Sequence, residues 1–379
     1  MLSSTHRIDE QLYENRHNVH SRIDKNLSTS VQCEEQIDPA CCGVAVGSSS
    51  PCLEVSAPNK RMVVQQFIEL PTKRADGFKY GYVQHYRMNL NLEFLNCLLK
   101  NGYSKRDIRI TVSPEAAKTI KVTSKISNEL NINRGTLHRM KEAKRRVPLD
   151  IAEYFGIKYT ENLSLKNSNI EIKVPKFLSN DLAYLCGVLR DGTVTREGKN
   201  EYTVAFYSKS KEFVEKLSEL VYNEFGIKQR IEKMDEVWGI RIRSLVLYEF
   251  FRLIFEAPQH QVNWNTPKII ENSSREIIRN YISGYWDAEG GCPHIEKMRN
   301  PKKKNLSINI TQKNVESLEF IKNVLKKEGI ETGKIYTNDR KSMFRISRKN
   351  IPEFCRYIIS RYSSKRKRLQ MMSEIFSIN

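Results

Sequence analysis

The stretch IRNYISGYWDAEGGC, residues 278–292, decides how this chain is read. Taken as a helix, it places Ile278, Ile282, Tyr285 and Trp286 at helical spacing on a buried face, while Ser283, Gly284 and Ala288 leave a shallow groove. Small residues there let a second backbone come close. Glu289 falls in the last turn, with Gly290 and Gly291 as stops just beyond it. A carboxylate at the negative end of a helix dipole is unfavourable unless a cation is nearby, so this placement asks for a metal.

The pattern recurs in DLAYLCGVLRDGTV, residues 181–194. Setting Cys186 against Gly284 brings Asp191 and Gly192 onto Glu289 and Gly290, with the two acids 98 residues apart. Setting Gly187 there instead leaves the first motif one residue short, still ending in Asp191. Two copies of a helix that ends in an acid and a glycine predict two similar half-domains packed through those helices. Cys186, Gly187, Ser283 and Gly284 are then the expected seam, and the two carboxylates lie side by side.

The sequence that follows each motif repeats as well. In the first half, strands are expected at Thr193–Arg196 and Tyr202–Ser208 about a turn at Gly198–Asn200, then a helix at Lys211–Phe225. Strands at Gln229–Met234 and Val237–Ser244 and a buried helix at Leu245–Phe255 complete it. In the second half the expected order is a strand at Cys292–Met298, a basic turn at Arg299–Lys304, a strand at Leu306–Gln312 and a helix at Val315–Glu328. Strands at Lys334–Tyr336 and Met343–Ser347 and a helix at Ile351–Ser360 follow. Each half therefore reads αββαββα, giving an α+β chain with two four-stranded antiparallel sheets. Along WGIRIR, residues 238–243, Trp238, Ile240 and Ile242 point to one face and Arg241 and Arg243 to the other.

These residues resemble the LAGLIDADG (dodecapeptide, or DOD-type) homing endonucleases, in the single-chain, two-repeat form. GYWDAEG stands where the family has GLIDADG, whereas CGVLRDG has Cys at a usual Gly, Leu189 at a frequent acid and Arg190 at a common small residue. The resemblance implies a pseudo-twofold pair of half-domains whose saddle-shaped sheets straddle duplex DNA, with the motif helices as the central seam. It implies metal-dependent hydrolysis of a phosphodiester in each strand, as in intron homing. Asp191 and Glu289, with the carbonyls of Arg190 and Ala288, would hold Mg²⁺, with Mn²⁺ as a substitute. By the same resemblance Gln312, Lys313 and Lys209 stand where the family organises water at strand ends. Ser208 departs from that pattern, which leaves one cleavage pocket less well equipped. Arg243 and Arg348 match late-strand basic positions, and Asp287 reads as a capping or pairing residue of the seam.

Composition agrees with a nucleic-acid partner. The formal charge is +19 over 379 residues, and residues 1–60 carry −3 of it, which leaves +22 on the rest. Such an excess costs self-repulsion and points to a polyanion. Lys302, Lys303 and Lys304, and the run Lys365–Arg368, would extend a phosphate-binding surface. No apolar run is long enough to span a bilayer and no signal core opens the chain, so a cytoplasmic, nucleoid-associated monomer is expected. Cys33, Cys41, Cys42 and Cys52 lack paired spacing and nearby histidines, and are not expected to bind zinc. Cys97, Cys186, Cys292 and Cys355 lie in apolar-patterned segments and read as buried, reduced thiols.

Upstream of the repeats the expected divisions are 1–60 disordered, 61–120 a small domain without an assignable role, 121–160 a helix-turn-helix, and 161–176 a linker or short strand. Residues 177–276 and 277–379 are the two repeats. Met62–Leu70 is strand-like and Leu90–Lys100 an amphipathic helix. Ser124–Ile157 reads as a helix through Leu130, a turn at Asn131–Asn133, a basic helix from Arg134, a break at Val147-Pro148 and a helix stopped by Gly156. This looks like a phage-repressor helix-turn-helix, with Asn133, Arg134, Thr136, His138 and Arg139 as candidates for base or phosphate contacts. Its alternative is a small helical bundle with a solvated basic face.

Two further function classes stay open. One is a non-cutting DNA-binding regulator, against which retention of both acids argues. The other is an intron RNA maturase, which would add RNA as a partner and which sequence does not separate from the nuclease. An intein is not expected, since neither end carries the residues of a splicing domain.

Overall fold

The computed structural model describes residues 88–376, apart from 159, 167, 169, 199, 200 and 300–305. The expectations for residues 1–60, for the strand at Met62–Leu70, for the four amino-terminal cysteines and for Lys302–Lys304 lie outside these residues.

Helix α1, Leu90–Lys100, starts where Asn89 accepts a hydrogen bond from the Leu92 amide, and it buries Leu90, Phe94 and Leu98. Four short strands follow within the next 73 residues: β1 Ile108–Ile110, β2 Val147–Pro148, β3 Asn162–Leu165 and β4 Ile172–Lys173. They form one antiparallel sheet in the order β2-β1-β3-β4. The stretch 161–176 is therefore not a free linker, because Leu163, Leu165, Ile172 and Val174 bury their side chains in the main core. Nor does a packing boundary separate α1 from the repeats, since Phe94 meets Phe250 of the first repeat edge to face.

The stretch expected to be a helix-turn-helix begins after β1 and runs on past β2. It comprises α2 Ser124–Glu129, α3 Arg134–Lys141 and, after β2, α4 Leu149–Tyr154. Thr123 caps α2 and Asn133 caps α3 through their side-chain oxygens, and Asn131 takes a left-handed φ of 49° in the turn. Leu137, Met140, Ile151, Ala152 and Ile157 give this unit its own apolar core.

Helix α5, Asn180–Val188, carries the first motif and continues into a 3-10 turn at Leu189–Asp191. Strands β5 Thr193–Glu197 and β6 Glu201–Ser208, helix α6 Lys211–Phe225, strands β7 Ile231–Met234 and β8 Val237–Arg243, and helix α7 Leu245–Ile254 complete the first repeat. Helix α8, Arg275–Glu289, carries the second motif. It leads into β9 Gly290–Gly291, β10 Ile308–Gln312, α9 Val315–Lys327, β11 Tyr336–Thr337, β12 Ser342–Ile346 and α10 Ile351–Tyr357. The sheets are antiparallel, in the orders β5-β6-β8-β7 and β9-β10-β12-β11, so the two halves share one topology.

The second half departs from expectation at both ends. In place of a strand at Cys292–Met298, Gly290 and Gly291 pair with the other edge of β10, and Ile295–Lys297 forms a 3-10 turn. Pro293 has no amide to give to a ladder, and its carbonyl instead accepts from Ile295. The basic run at 365–368 lies in a further helix, α11 Ser363–Phe376, which buries Leu369, Met372 and Phe376.

Candidate active site and candidate nucleic-acid interface

The seam is set by two glycines. A Cβ at Gly187 would lie 2.1 Å from the Tyr281 carbonyl oxygen, and one at Gly284 would lie 2.1 Å from that of Tyr184. Each glycine thus receives the backbone three residues before the other, and the pseudo-equivalent pair is Gly187 with Gly284. The register that sets Cys186 against Gly284 is corrected by this packing. Cys186 is fully buried, and Ser283, expected in the seam, accepts instead from the Ile359 amide at 2.9 Å.

With the glycines matched, the first motif is one residue shorter, yet its acid arrives at the corresponding place. The reason is the 3-10 turn after Val188. Three residues rising ~2.0 Å each cover the same ~6 Å as four α-helical residues rising ~1.5 Å each. Val188 to Asp191 therefore spans what Tyr285 to Glu289 spans.

Arg190 is drawn away from the seam. Its buried guanidinium donates to the Trp264 carbonyl, to the Asn265 carbonyl at 3.2 Å and to Ser317 Oγ at 2.8 Å. It also stacks over Trp264 at 4.7 Å and faces Tyr285 at 5.5 Å, a contact type worth about 2 kcal/mol when desolvated. The side chain thus ties the first motif to the connector between repeats and to the start of α9. Its carbonyl faces Gln312, whose Nε2 lies 3.4 Å from it and donates to Glu289 Oε1 at 2.9 Å.

Asp191 is exposed and Glu289 half-buried. Burial, and then the negative charge of Asp191, push the Glu289 carboxyl up to about 8, against the opposing pull of Arg190, Lys365 and the Gln312 hydrogen bond. Asp287 plays a different part. It is buried and accepts from Tyr184 of the first motif, from Ser360 Oγ at 2.6 Å and from the Arg361 amide at 2.7 Å. Burial raises its proton affinity while these donors oppose the rise.

Lys365 is a residue that sequence reasoning placed elsewhere. Its ammonium donates to the carbonyls of Trp286 at 3.1 Å, Asp287 at 2.8 Å and Gly290 at 2.6 Å. It closes the carbonyl end of α8, on either side of Ala288, where the helix dipole favours a cation. Its pKa is lowered by burial, with Asp287, Asp191 and Glu289 pulling the other way. Arg368 pairs with Glu296 at 3.2 Å. Neither residue extends a phosphate-binding surface, because both are spent on the protein.

Sheet register fixes the remaining correspondences. Ser208 pairs with Trp238 and Gln312 with Ser342, so Ser208 and Gln312 occupy equivalent strand ends. Gln312 reaches Glu289, whereas Ser208 accepts from the Ser210 amide at 3.2 Å. Lys209 and Lys313 follow at the same offset, both exposed. Arg241 pairs with Ala205 and Arg345 with Asn309, which makes Arg345 the counterpart of Arg241 on an exposed strand face. Arg348, expected late on that strand, lies past its end in a 3-10 turn with its guanidinium 4.8 Å from the Phe376 ring. The alternation of Phe344, Arg345 and Ile346 held the signal for Arg345. In α3, Arg134, His138 and Arg139 are exposed and Thr136 is half-buried.

Among the described residues no three His, Cys, Asp or Glu side chains cluster for a metal, and no helix is long and apolar enough to cross a membrane. The LAGLIDADG-like domain model matches residues 181–254 and again 276–359. Homing endonuclease I-ApeI of Aeropyrum pernix is 29% identical over 196 residues, covering 50% of this chain and 85% of that protein. An uncharacterised protein of Methanocaldococcus jannaschii is 28% identical over 181 residues, covering 46% of this chain and 63% of its own. The solved structure of I-DmoI in complex with DNA and Mn is 22% identical, with a TM-score of 0.36, covering 49% of this chain and 99% of that one. I-WcaI bound to its DNA recognition sequence is 17% identical, with a TM-score of 0.39, covering 51% and 87%. With one match to each repeat and two glycine-packed motif helices, residues 181–359 carry both repeats of a LAGLIDADG-like domain.

Proposed function

We propose that the protein is a site-specific DNA endonuclease that hydrolyses a phosphodiester in each strand of its target duplex. The observation that carries this reading is the glycine-to-glycine packing of the two motif helices, which brings the ends of both repeats, Asp191 and Glu289, to one acidic site. Like charges this close favour a shared cation. The donor set is all oxygen, two carboxylates with the Arg190 and Ala288 carbonyls nearby in sequence, which suits Mg²⁺ or Mn²⁺ rather than a thiolate- or imidazole-loving ion. When bound, such a cation lowers the pKa of an attacking water and offsets charge on the leaving oxygen.

The chain's own residues supply the rest. Gln312 fixes one Glu289 oxygen, so the carboxylate has a set orientation before any ligand arrives. Lys365 neutralises the carbonyl end of α8 and so lowers the cost of holding Glu289 ionised there. The exposed Lys209 and Lys313 stand at the two strand ends where phosphate oxygens would pass. Arg241, Arg243 and Arg345 project from exposed strand faces to phosphates or base edges, and α3 offers Arg134, Thr136 and Arg139 to a separate stretch of duplex.

Selection of cleaved molecules from a randomised duplex library with Mg²⁺ tests this directly. Cleavage at a unique site is expected, and Glu289→Gln or Asp191→Asn should keep binding and lose cutting. Binding without cleavage in either Mg²⁺ or Mn²⁺ would assign the chain to the regulators instead.

A further inference from the structure

Beside α3 lies a cleft of about 250 Å³ lined by Arg109, Lys144, Arg145, Arg146, Leu165 and Ser168. Four cations share it. Arg146 has Glu171 at 3.0 Å and donates to the Ser168 carbonyl at 3.3 Å, and Lys144 has the exposed Glu142 at 3.1 Å. Among the described residues, Arg109 and Arg145 form no ion pair, and Arg109 Nε is buried without a hydrogen-bond partner. A guanidinium donor withdrawn from water and left unmatched by the protein costs free energy. Burial, together with the charges of Arg145 and Arg146, lowers the pKa of Arg109, while Asp107 opposes the shift. Mutual repulsion of this kind is relieved by an anion.

The position of the cleft indicates which anion. Arg145 Nη1 lies 3.5 Å from Thr136 Oγ1, so this cleft residue reaches back onto α3, and Ala143, just before the basic triplet, turns the chain with a φ of 55°. Arg109 comes from β1, on the sheet that joins this unit to the repeats. We infer that the cleft seats a backbone phosphate of the duplex engaged by α3, a fixed phosphate anchor separate from the cleavage centre. Planar guanidinium forks suit paired phosphate oxygens, and a diester's single charge suits a cleft already holding Glu171. The inference rests on the reading that α3 docks on DNA.

The test replaces phosphates of the selected target duplex one at a time by neutral methylphosphonates and measures binding of the full-length chain. Wild type should show one or two sensitive phosphates outside the region around the cut, and Arg109→Gln or Arg145→Gln should abolish sensitivity at those positions only. Each substitution should also lower the slope of log affinity against log salt by about 0.9, and weaken binding about five- to tenfold near 0.1 M salt. Lys144→Gln, at an exposed side chain, serves if the arginine variants fold poorly, and should act in the same direction. If the arginine variants keep the wild-type map and slope while Arg134→Ala and Arg139→Ala lose the outer contacts, the anchor is refuted and the docking of α3 stands. A wild-type map without any outer position refutes both. Stabilisation by inorganic phosphate combined with such a map would make the cleft a free-anion site and overturn its assignment to DNA.

Discussion

Adding one methyl group at Gly284 should separate binding from cutting. An alanine Cβ there would lie 2.1 Å from the Tyr184 carbonyl oxygen and 3.1 Å from the Val188 amide nitrogen. Carbon and oxygen rest comfortably at about 3.3–3.6 Å, and both neighbours are backbone, so no rotamer change relieves the contact. The motif helices must part by about 1.2 Å or more. Overpacking on this scale costs about 1–3 kcal/mol, and at about 2–4 °C per kcal/mol the melting temperature should fall by roughly 2–12 °C. Asp191 and Glu289 end the two segments that are pushed apart, and a misplacement of about 1 Å is enough for about a hundredfold loss of rate. Single-turnover cleavage of the selected site should therefore drop about a hundredfold in Gly284→Ala, while binding measured by anisotropy stays near wild type. Gly187→Ala, whose Cβ would meet the Tyr281 oxygen at 2.1 Å, should match it. The double variant should cost less than the sum, because the first change already opens the seam. Gly333→Ala, with its nearest contact at 3.5 Å, is the neutral control. Cleavage by Gly284→Ala within threefold of wild type would show that the glycine seam does not position the acids.

Other outcomes follow from the same geometry. Lys365→Met strips an ammonium from three carbonyls and should destabilise by about 1–3 kcal/mol, read as a fall in melting temperature of roughly 2–12 °C. With the Glu289 carboxyl pushed up to about 8, a cation competes with a proton, so its apparent affinity should rise as pH climbs toward about 8. Because this raised carboxyl favours the protonated form in the fold, metal-free stability should be fully present at acid pH and fall as pH rises toward about 8, a trend that Glu289→Gln flattens in chelator-treated melts. Ser208 lacks the amide that Gln312 brings to its carboxylate, so one strand should be cut more slowly. Nicked plasmid should then accumulate before linear product, and Ser208→Gln should shorten that lag.

Much of the fold was legible because local signals agreed. α6 and α9 begin after Ser210 and Asn314, whose side chains cap them, and α6 ends at Gly226 with a φ of 70°. The two acids were legible from their place before a glycine. The register of the first motif was not, since nothing in the letters VLRD distinguishes a 3-10 turn from an α-helical one, and that turn decides whether Cys186 or Gly187 faces the partner helix. Lys365 was misread because SKRKR looks like a solvated run until Leu369, Met372 and Phe376 pin its helix against the core. The strand expected through Pro293 failed for want of one amide. Arg345 went unread because Arg348, a few residues on, drew the assignment.

The anchoring of Asp287 bears on where this domain ends. The match to the LAGLIDADG-like domain model ends at residue 359, yet the donors to the Asp287 carboxylate include Ser360 Oγ and the Arg361 amide, and the ammonium that closes α8 belongs to Lys365. A protein trimmed to the homologous core would keep both acids and both glycines while losing the fastening of the helix that presents one of them. For any engineered fusion or minimal nuclease built on this scaffold, the tail through α11 is part of the working unit.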